Sequence, residues 1–107
     1  MEKQLRIAVL ASTRGTDLQA IIDALKSGSL TNIVLECVVS NKADCYALQR
    51  AREQGFKTFF VDPKGKTRND FDQEVAKILD EHDVDLVVLV GYMRILSSVF
   101  VQKLFLQ

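Results

Sequence analysis

The sequence predicts an α/β domain: an open, mostly parallel sheet with strand order 3-2-1-4 and helices on both faces. Three observations carry this expectation. Short apolar runs alternate with stripes of helical spacing along the chain. Ile33 to Val39 and Leu86 to Val90 are almost continuously apolar, as strands covered on both faces are. Strand–helix–strand alternation also requires crossover connections, which are nearly always right-handed and put helices on both sides of the sheet. In that order the switch point, where ligands collect, falls between strand one and strand four.

Ile7 to Leu10 is an apolar run with β-branched residues that stops at Ser12-Thr-Arg-Gly-Thr-Asp17, a cluster of turn formers and helix caps. Leu18, Ile21, Ile22 and Leu25 then recur with helical spacing, and Gly28 stands where a helix takes a left-handed exit. Strand two, Ile33 to Val39, is broken only by Glu36. Asn41 or Asp44 is expected to cap a second helix that runs through Gln54 and is ended by Gly55, with Lys57 to Val61 as a weaker third strand. From about Asn69 to His82, the residues Phe71, Val75, Ile78 and Leu79 make one apolar stripe. Leu86 to Val90 is the strongest strand in the chain, and Ser97 or Ser98 is expected to cap a fourth helix.

The predicted order leaves Leu86 to Val90 at a sheet edge although its composition is that of a central strand. A long apolar edge invites pairing with another chain, so the sequence is expected to be cut short, or to form a homo-oligomer through this strand.

With 107 residues, 48% of them hydrophobic and 26% charged, the chain fits one globular domain with a modest core. Fourteen basic and fourteen acidic residues cancel without long runs of either sign, which argues against a sequence-independent grip on nucleic acid or on an anionic membrane. Cys37 and Cys45 are too far apart for a Cys-x-x-Cys motif, and the start lacks the pattern of a secretory leader. A reduced, cytoplasmic protein is expected, with a small molecule as partner.

Two loops offer ligand sites. Ser12 to Asp17 joins strand one to helix one, where free backbone N–H groups and the helix dipole favour an anion and Gly15 lets backbone approach a ligand closely. One glycine falls short of the Gly-x-Gly-x-x-Gly dinucleotide pattern, so an ordinary capped turn reads equally well. Gly91 to Ser97 follows the strongest strand at the carboxyl edge; it suits a flat heterocycle, although the residues alone slightly favour a hydrophobic connection that packs helix four. Gly65-Lys66-Thr67 resembles the end of a P-loop, but Phe60 occupies the position of the motif's first glycine, so this segment reads as a solvent loop. No metal-ligand pattern is present, and His82, between Glu81 and Asp83 near a helix end, reads as a surface residue rather than a catalytic one.

Taken together, Ile7-Ala-Val-Leu-Ala-Ser-Thr-Arg-Gly-Thr-Asp-Leu-Gln-Ala-Ile-Ile22, Val39-Ser-Asn-Lys-Ala-Asp44 and Gly91-Tyr-Met-Arg-Ile-Leu-Ser97 resemble the phosphoribosylglycinamide formyltransferase family of purine biosynthesis. The likeness covers nearly all of the chain. It implies a Rossmann-like half-domain and transfer of a formyl group from 10-formyltetrahydrofolate to the primary amine of glycinamide ribonucleotide. Gly15, Thr16 and Asp17 match the family's ribonucleotide-phosphate loop, while Arg68, Met93, Arg94, Ile95 and Leu96 match folate-binding positions. Family members are about twice as long, so the resemblance implies an amino-terminal half that ends before the catalytic half.

Attack of an amine on a formyl carbonyl creates an oxyanion and a protonated amine, so the reaction needs a donor to the oxygen and groups that move protons. The family's Asn-x-His-Pro-Ser segment and a later Asp serve these purposes, and neither occurs in these 107 residues. No residue of the chain is therefore assigned a catalytic role; binding without turnover is the expectation. The family frequently has Asn where Asp17 stands, and an acid there would repel phosphate unless its carboxylate turned to cap helix one, so contact through the Asp17 backbone is expected. A formyltetrahydrofolate hydrolase, with water as acceptor, resembles the same sheet and folate loop; Arg94 and the Thr16-Asp17 loop favour the transferase. A non-catalytic module that pairs through Leu86 to Val90 is the alternative of a different class.

Overall fold

The alternation of apolar runs and helical stripes becomes seven elements in the computed structural model, which describes residues 4–12, 16–29 and 31–90. In chain order these are β1 (Leu5–Ala11), α1 (Thr16–Ser27), β2 (Ile33–Ser40), α2 (Tyr46–Glu53), β3 (Lys57–Phe60), α3 (Arg68–Glu81) and β4 (Leu86–Val90). All strand pairs are parallel and the sheet runs β3-β2-β1-β4, the order predicted from the sequence. The expected fourth helix, with Ser97 and Ser98, lies outside the described residues.

β1 has a helix layer on each side. Its Ile7, Val9 and Ala11 pack with Leu18 and Ile22 of α1 and with Ala47, Leu48 and Ala51 of α2. Ala8 and Leu10 face the other way, onto Phe71, Val75, Ala76 and Leu79 of α3. Strand alternation sorts these residues, since successive side chains leave opposite faces of a sheet. Phe71, Leu10, Leu18 and Ile22 are among the largest side chains removed completely from water; each contributes roughly 1.5–3 kcal/mol of hydrophobic stabilisation.

Glu36, the one interruption in strand two, marks a bulge. Ile7 pairs with Leu35 and Ala8 with Cys37, so Glu36 is skipped in the register. The extra residue reverses the alternation of β2: Ile33 and Leu35 face α1 and α2, but Cys37 and Val39 face α3, and Val38 now faces α1 and α2. A regular strand would have kept residues 35, 37 and 39 on one face. The Glu36 carboxylate lies 3.2 Å from the Arg6 guanidinium.

The helix ends follow local chemistry, with one departure from expectation. α3 is capped by Thr67, whose Oγ1 accepts from the Asp70 backbone N–H at 3.0 Å. α2 begins after Cys45 without a side-chain cap hydrogen bond, so neither Asn41 nor Asp44 caps it. Asn41 is instead bonded to Ser12, and tertiary pairing has overridden a local preference. α2 and α3 share one C-terminal motif. Gly55 N–H donates to Arg52 O and Phe56 N–H to Ala51 O; Asp83 N–H donates to Asp80 O and Val84 N–H to Leu79 O. The turning residue has φ +86° at Gly55 and φ +54° at Asp83. Replacing Gly55 with Val places a β-branched side chain in the left-handed region and is expected to cost about 1–2 kcal/mol in a urea unfolding titration.

Cys37 is wholly buried beneath α3. Burial, reinforced by the Glu36 carboxylate and partly offset by Lys57, pushes its thiol up to about 11. Since the thiolate is the reactive form, Cys37 is expected to resist thiol reagents at neutral pH until the domain unfolds; rapid labelling of the folded protein would contradict this. The same shift has a sign for stability. An unfolded thiol titrates at about 8.5, so above that value the folded state holds the extra proton. The Cys37 contribution to stability is therefore present below about pH 8.5 and is lost as pH rises toward about 11, to be read in denaturant titrations across that window.

Candidate functional site

Because every strand is parallel, their carboxyl ends share one edge of the sheet. Ala11 stands level with Ser40 and with Val90, and Ser40 with Phe60. From this edge the chain leaves β1 for α1 on one face, and leaves β3 for α3 on the other. The crevice between β1 and β4 is where the two directions of winding diverge, the usual ligand position in an open α/β sheet.

Of the predicted site residues, Thr16, Asp17 and Arg68 are described, and all three lie at the carboxyl edge. Thr16 and Asp17 are the first two residues of α1, at the end of the helix whose unpaired N–H groups and dipole attract an anion. Arg68 is the first residue of α3, exposed, and directly follows the capping Thr67. No ion pair engages Arg68 among the described residues. Thr16 and Asp17 thus begin a helix on one face while Arg68 begins a helix on the opposite face, both at the carboxyl edge. Gly15, Met93, Arg94, Ile95 and Leu96 lie outside the described residues.

Two buried hydroxyls, to which the sequence reading gave no individual role, stand behind this edge. Ser12, 4% exposed, donates through Oγ to Asn41 Oδ1 at 2.6 Å. Ser40 is fully buried, and its Oγ accepts from the Lys42 backbone N–H at 3.1 Å. The available signal was the polar pair Ser40-Asn41 at the end of an apolar strand, but its partner 29 residues earlier is set by the tertiary register.

The remaining polar candidates are used elsewhere. In the loop that resembles a P-loop, Lys66 Nζ lies 2.7 Å from the Glu74 carboxylate and the Thr67 hydroxyl caps α3. His82 ends α3 at the amino edge, away from the crevice. Its Nδ1 is 2.7 Å from Ile78 O, and its ring meets Phe59 edge-on at 5.1 Å. A carbonyl can only accept, so Nδ1 carries the proton. A cleft of about 330 Å³ beside it is lined by Asp80, Asp83, Val84 and Asp85, a set of carboxylates unsuited to a phosphate. Among the described residues no group of three or more His, Cys, Asp or Glu gathers to hold a metal, and no helix is long and apolar enough to cross a membrane.

Comparison with known proteins gives this edge a context. The formyl transferase family model matches residues 5–107. Over 98 residues the chain is 43% identical to phosphoribosylglycinamide formyltransferase of Escherichia coli (strain K12), covering 91% of this chain and 46% of that protein. It is 40% identical over 103 residues to the trifunctional purine biosynthetic protein adenosine-3 of Homo sapiens, covering 95% of this chain and 10% of that one. Among solved structures, glycinamide ribonucleotide transformylase 1 from Symbiobacterium toebii superposes with a TM-score of 0.88 at 39% identity, over 94% of this chain and 47% of its own. The phosphoribosylglycinamide formyltransferase from Coxiella burnetii, in complex with CHES, gives 0.87 at 40% identity over 94% of this chain and 47% of its own. The chain therefore spans about half the length of the Escherichia coli relative and a tenth of the human one.

Replacing His82 with Ala removes a helix-end hydrogen bond and a ring contact. The substitution is expected to lower the unfolding free energy by about 1–2 kcal/mol and to leave ligand affinity at the opposite edge unchanged, as measured by denaturant titration and calorimetry.

Proposed function

The chain belongs to the formyl transferase family, and on that premise we propose that it is the ligand-binding half of a phosphoribosylglycinamide formyltransferase. The whole enzyme moves a formyl group from 10-formyltetrahydrofolate to the amine of glycinamide ribonucleotide. The observation that carries this reading is the family match over residues 5–107.

In the reaction the amine nitrogen bonds to the formyl carbon, the carbonyl oxygen gains negative charge, and the amine gives up a proton. Collapse breaks the bond from carbon to the folate nitrogen, which takes a proton as tetrahydrofolate leaves. The share of these residues is positioning. Backbone N–H groups of Gly15, Thr16 and Asp17 hold the ribonucleotide phosphate at the start of α1. The exposed guanidinium of Arg68 offers paired donors to a folate carboxylate, and Met93, Arg94, Ile95 and Leu96 take the folate ring system. Two reactants held in one crevice react as if at very high local concentration. Balanced charge supports small-molecule partners rather than nucleic acid or an anionic membrane.

A second reading rests on β4, an edge strand among the described residues whose Leu86 and Leu89 are each 48% exposed. Such an edge pairs with another strand, and a second copy of the chain is one source.

Calorimetric titration of the 107-residue chain with glycinamide ribonucleotide tests the main reading. Saturable binding without formyl transfer is expected, together with at least about tenfold weaker binding for Gly15→Val, because a side chain at that position blocks close approach of backbone to phosphate. Unchanged affinity in the variant would remove the phosphate assignment. A dimer that forms with rising concentration and ignores both ligands would favour the strand-pairing reading instead.

A further inference from the structure

The chain reaches α3 through a short loop that carries cations at alternate positions, Lys64, Lys66 and Arg68. Hydrogen bonds fix its course. The Lys64 N–H donates to Asp62 Oδ1 at 2.9 Å, and the Lys66 N–H donates to Pro63 O at 3.2 Å, closing a turn in which Gly65 takes φ +75°. The Thr67 hydroxyl then holds the first turn of α3. On this ordered loop the cations are not equivalent. Lys66 Nζ lies 2.7 Å from the Glu74 carboxylate, whereas Lys64 and Arg68 are exposed and enter no ion pair among the described residues. Of the acids nearby in sequence, Asp62 accepts from the Lys64 N–H, and Asp70 lies in the first turn of α3, where its charge suits the helix dipole. Even a fully extended backbone would keep the Cα atoms of Lys64 and Arg68 within about 14 Å, and the turn between them shortens that span.

We infer that Lys64 and Arg68 form a subsite for the oligo-γ-glutamyl extension of a folate, in which Arg68 takes the carboxylate of the first glutamate and Lys64 one further along. The inference rests on the proposed folate site at Arg68 and deepens it, from a folate to its polyglutamylated form. The chemistry of such an extension matches what the loop offers. Each γ-linked glutamate leaves a free carboxylate, so the extension is a flexible string of single negative charges, which separate exposed cations serve better than a closed pocket does. Contacts between exposed charges are individually weak, so the subsite confers a graded preference. Lys66, held by Glu74, is left out of it. The segment that resembles the end of a P-loop thereby has a use other than cradling a phosphate: its turn presents a cation.

Calorimetric titration of the 107-residue chain with 5,8-dideazafolate in monoglutamate and triglutamate forms tests the subsite. At low ionic strength the triglutamate is expected to bind about three- to fivefold tighter, and the ratio to fall toward one at high salt. Lys64→Gln is expected to bring the ratio to about one at low salt as well, whereas Lys77→Gln, an exposed position further along α3, keeps it. Equal affinity of the two forms for the unsubstituted chain, or a preference that survives Lys64→Gln, would overturn the inference and leave the folate reading of Arg68 standing. Failure to bind either form would defeat that reading, and the inference with it.

Discussion

The double burial of β1 is the constraint on which the rest of the structure depends. A parallel strand in the middle of a sheet must be covered on both faces, and β1 meets this with Ile7, Val9 and Ala11 against one helix layer and Ala8 and Leu10 against the other. It also bonds to β2 on one side and β4 on the other, so both halves of the sheet take their register from it. Two of its inward positions are alanine, which lets helices approach closely without a void. A strand held from four directions has little freedom at its end.

The bulge at Glu36 shows how the second strand was fitted to that frame. By skipping one residue, β2 turns Cys37 and Val39 toward α3 while Leu35 and Val38 remain with α1 and α2. The skipped residue carries the charge, and Arg6, from the solvent-facing start of β1, meets it. With the arginine side chain 41% exposed, this ion pair adds little to stability; its value is that it lets a carboxylate sit in an otherwise apolar strand. The thiol beside it is kept protonated by the same burial.

Topology brings the starts of all three helices to the carboxyl edge. α1 and α2 start on one face and α3 on the other, and helix starts favour negative charge: backbone N–H groups at α1, and the exposed Arg68 beside a capped first turn at α3. Asp80, Asp83 and Asp85 line a cleft near the amino edge, while Asp70 lies in the first turn of α3, where it suits the helix dipole.

The strand order and the helix positions were legible in the sequence, because each rests on a local pattern: apolar runs, helical stripes and turn residues at fixed offsets. Arg68 and Thr16-Asp17 were found through motif resemblance, and the fold puts them at the starts of helices on opposite faces. Three features were not legible. Glu36 reads as a blemish in an apolar run, and only pairing with β1 reveals that it reverses the faces of β2. Asn41 has the composition of a helix cap, yet its side chain answers Ser12, a partner 29 residues away. Asp83 occupies a left-handed position that sequence rules reserve for glycine. By itself, then, the sequence determined which segments become strands and helices and in which order the strands pair. Which polar groups hold the carboxyl edge in place was decided only by tertiary structure, since a hydrogen bond between strand ends depends on register, and register is a property of the assembled sheet.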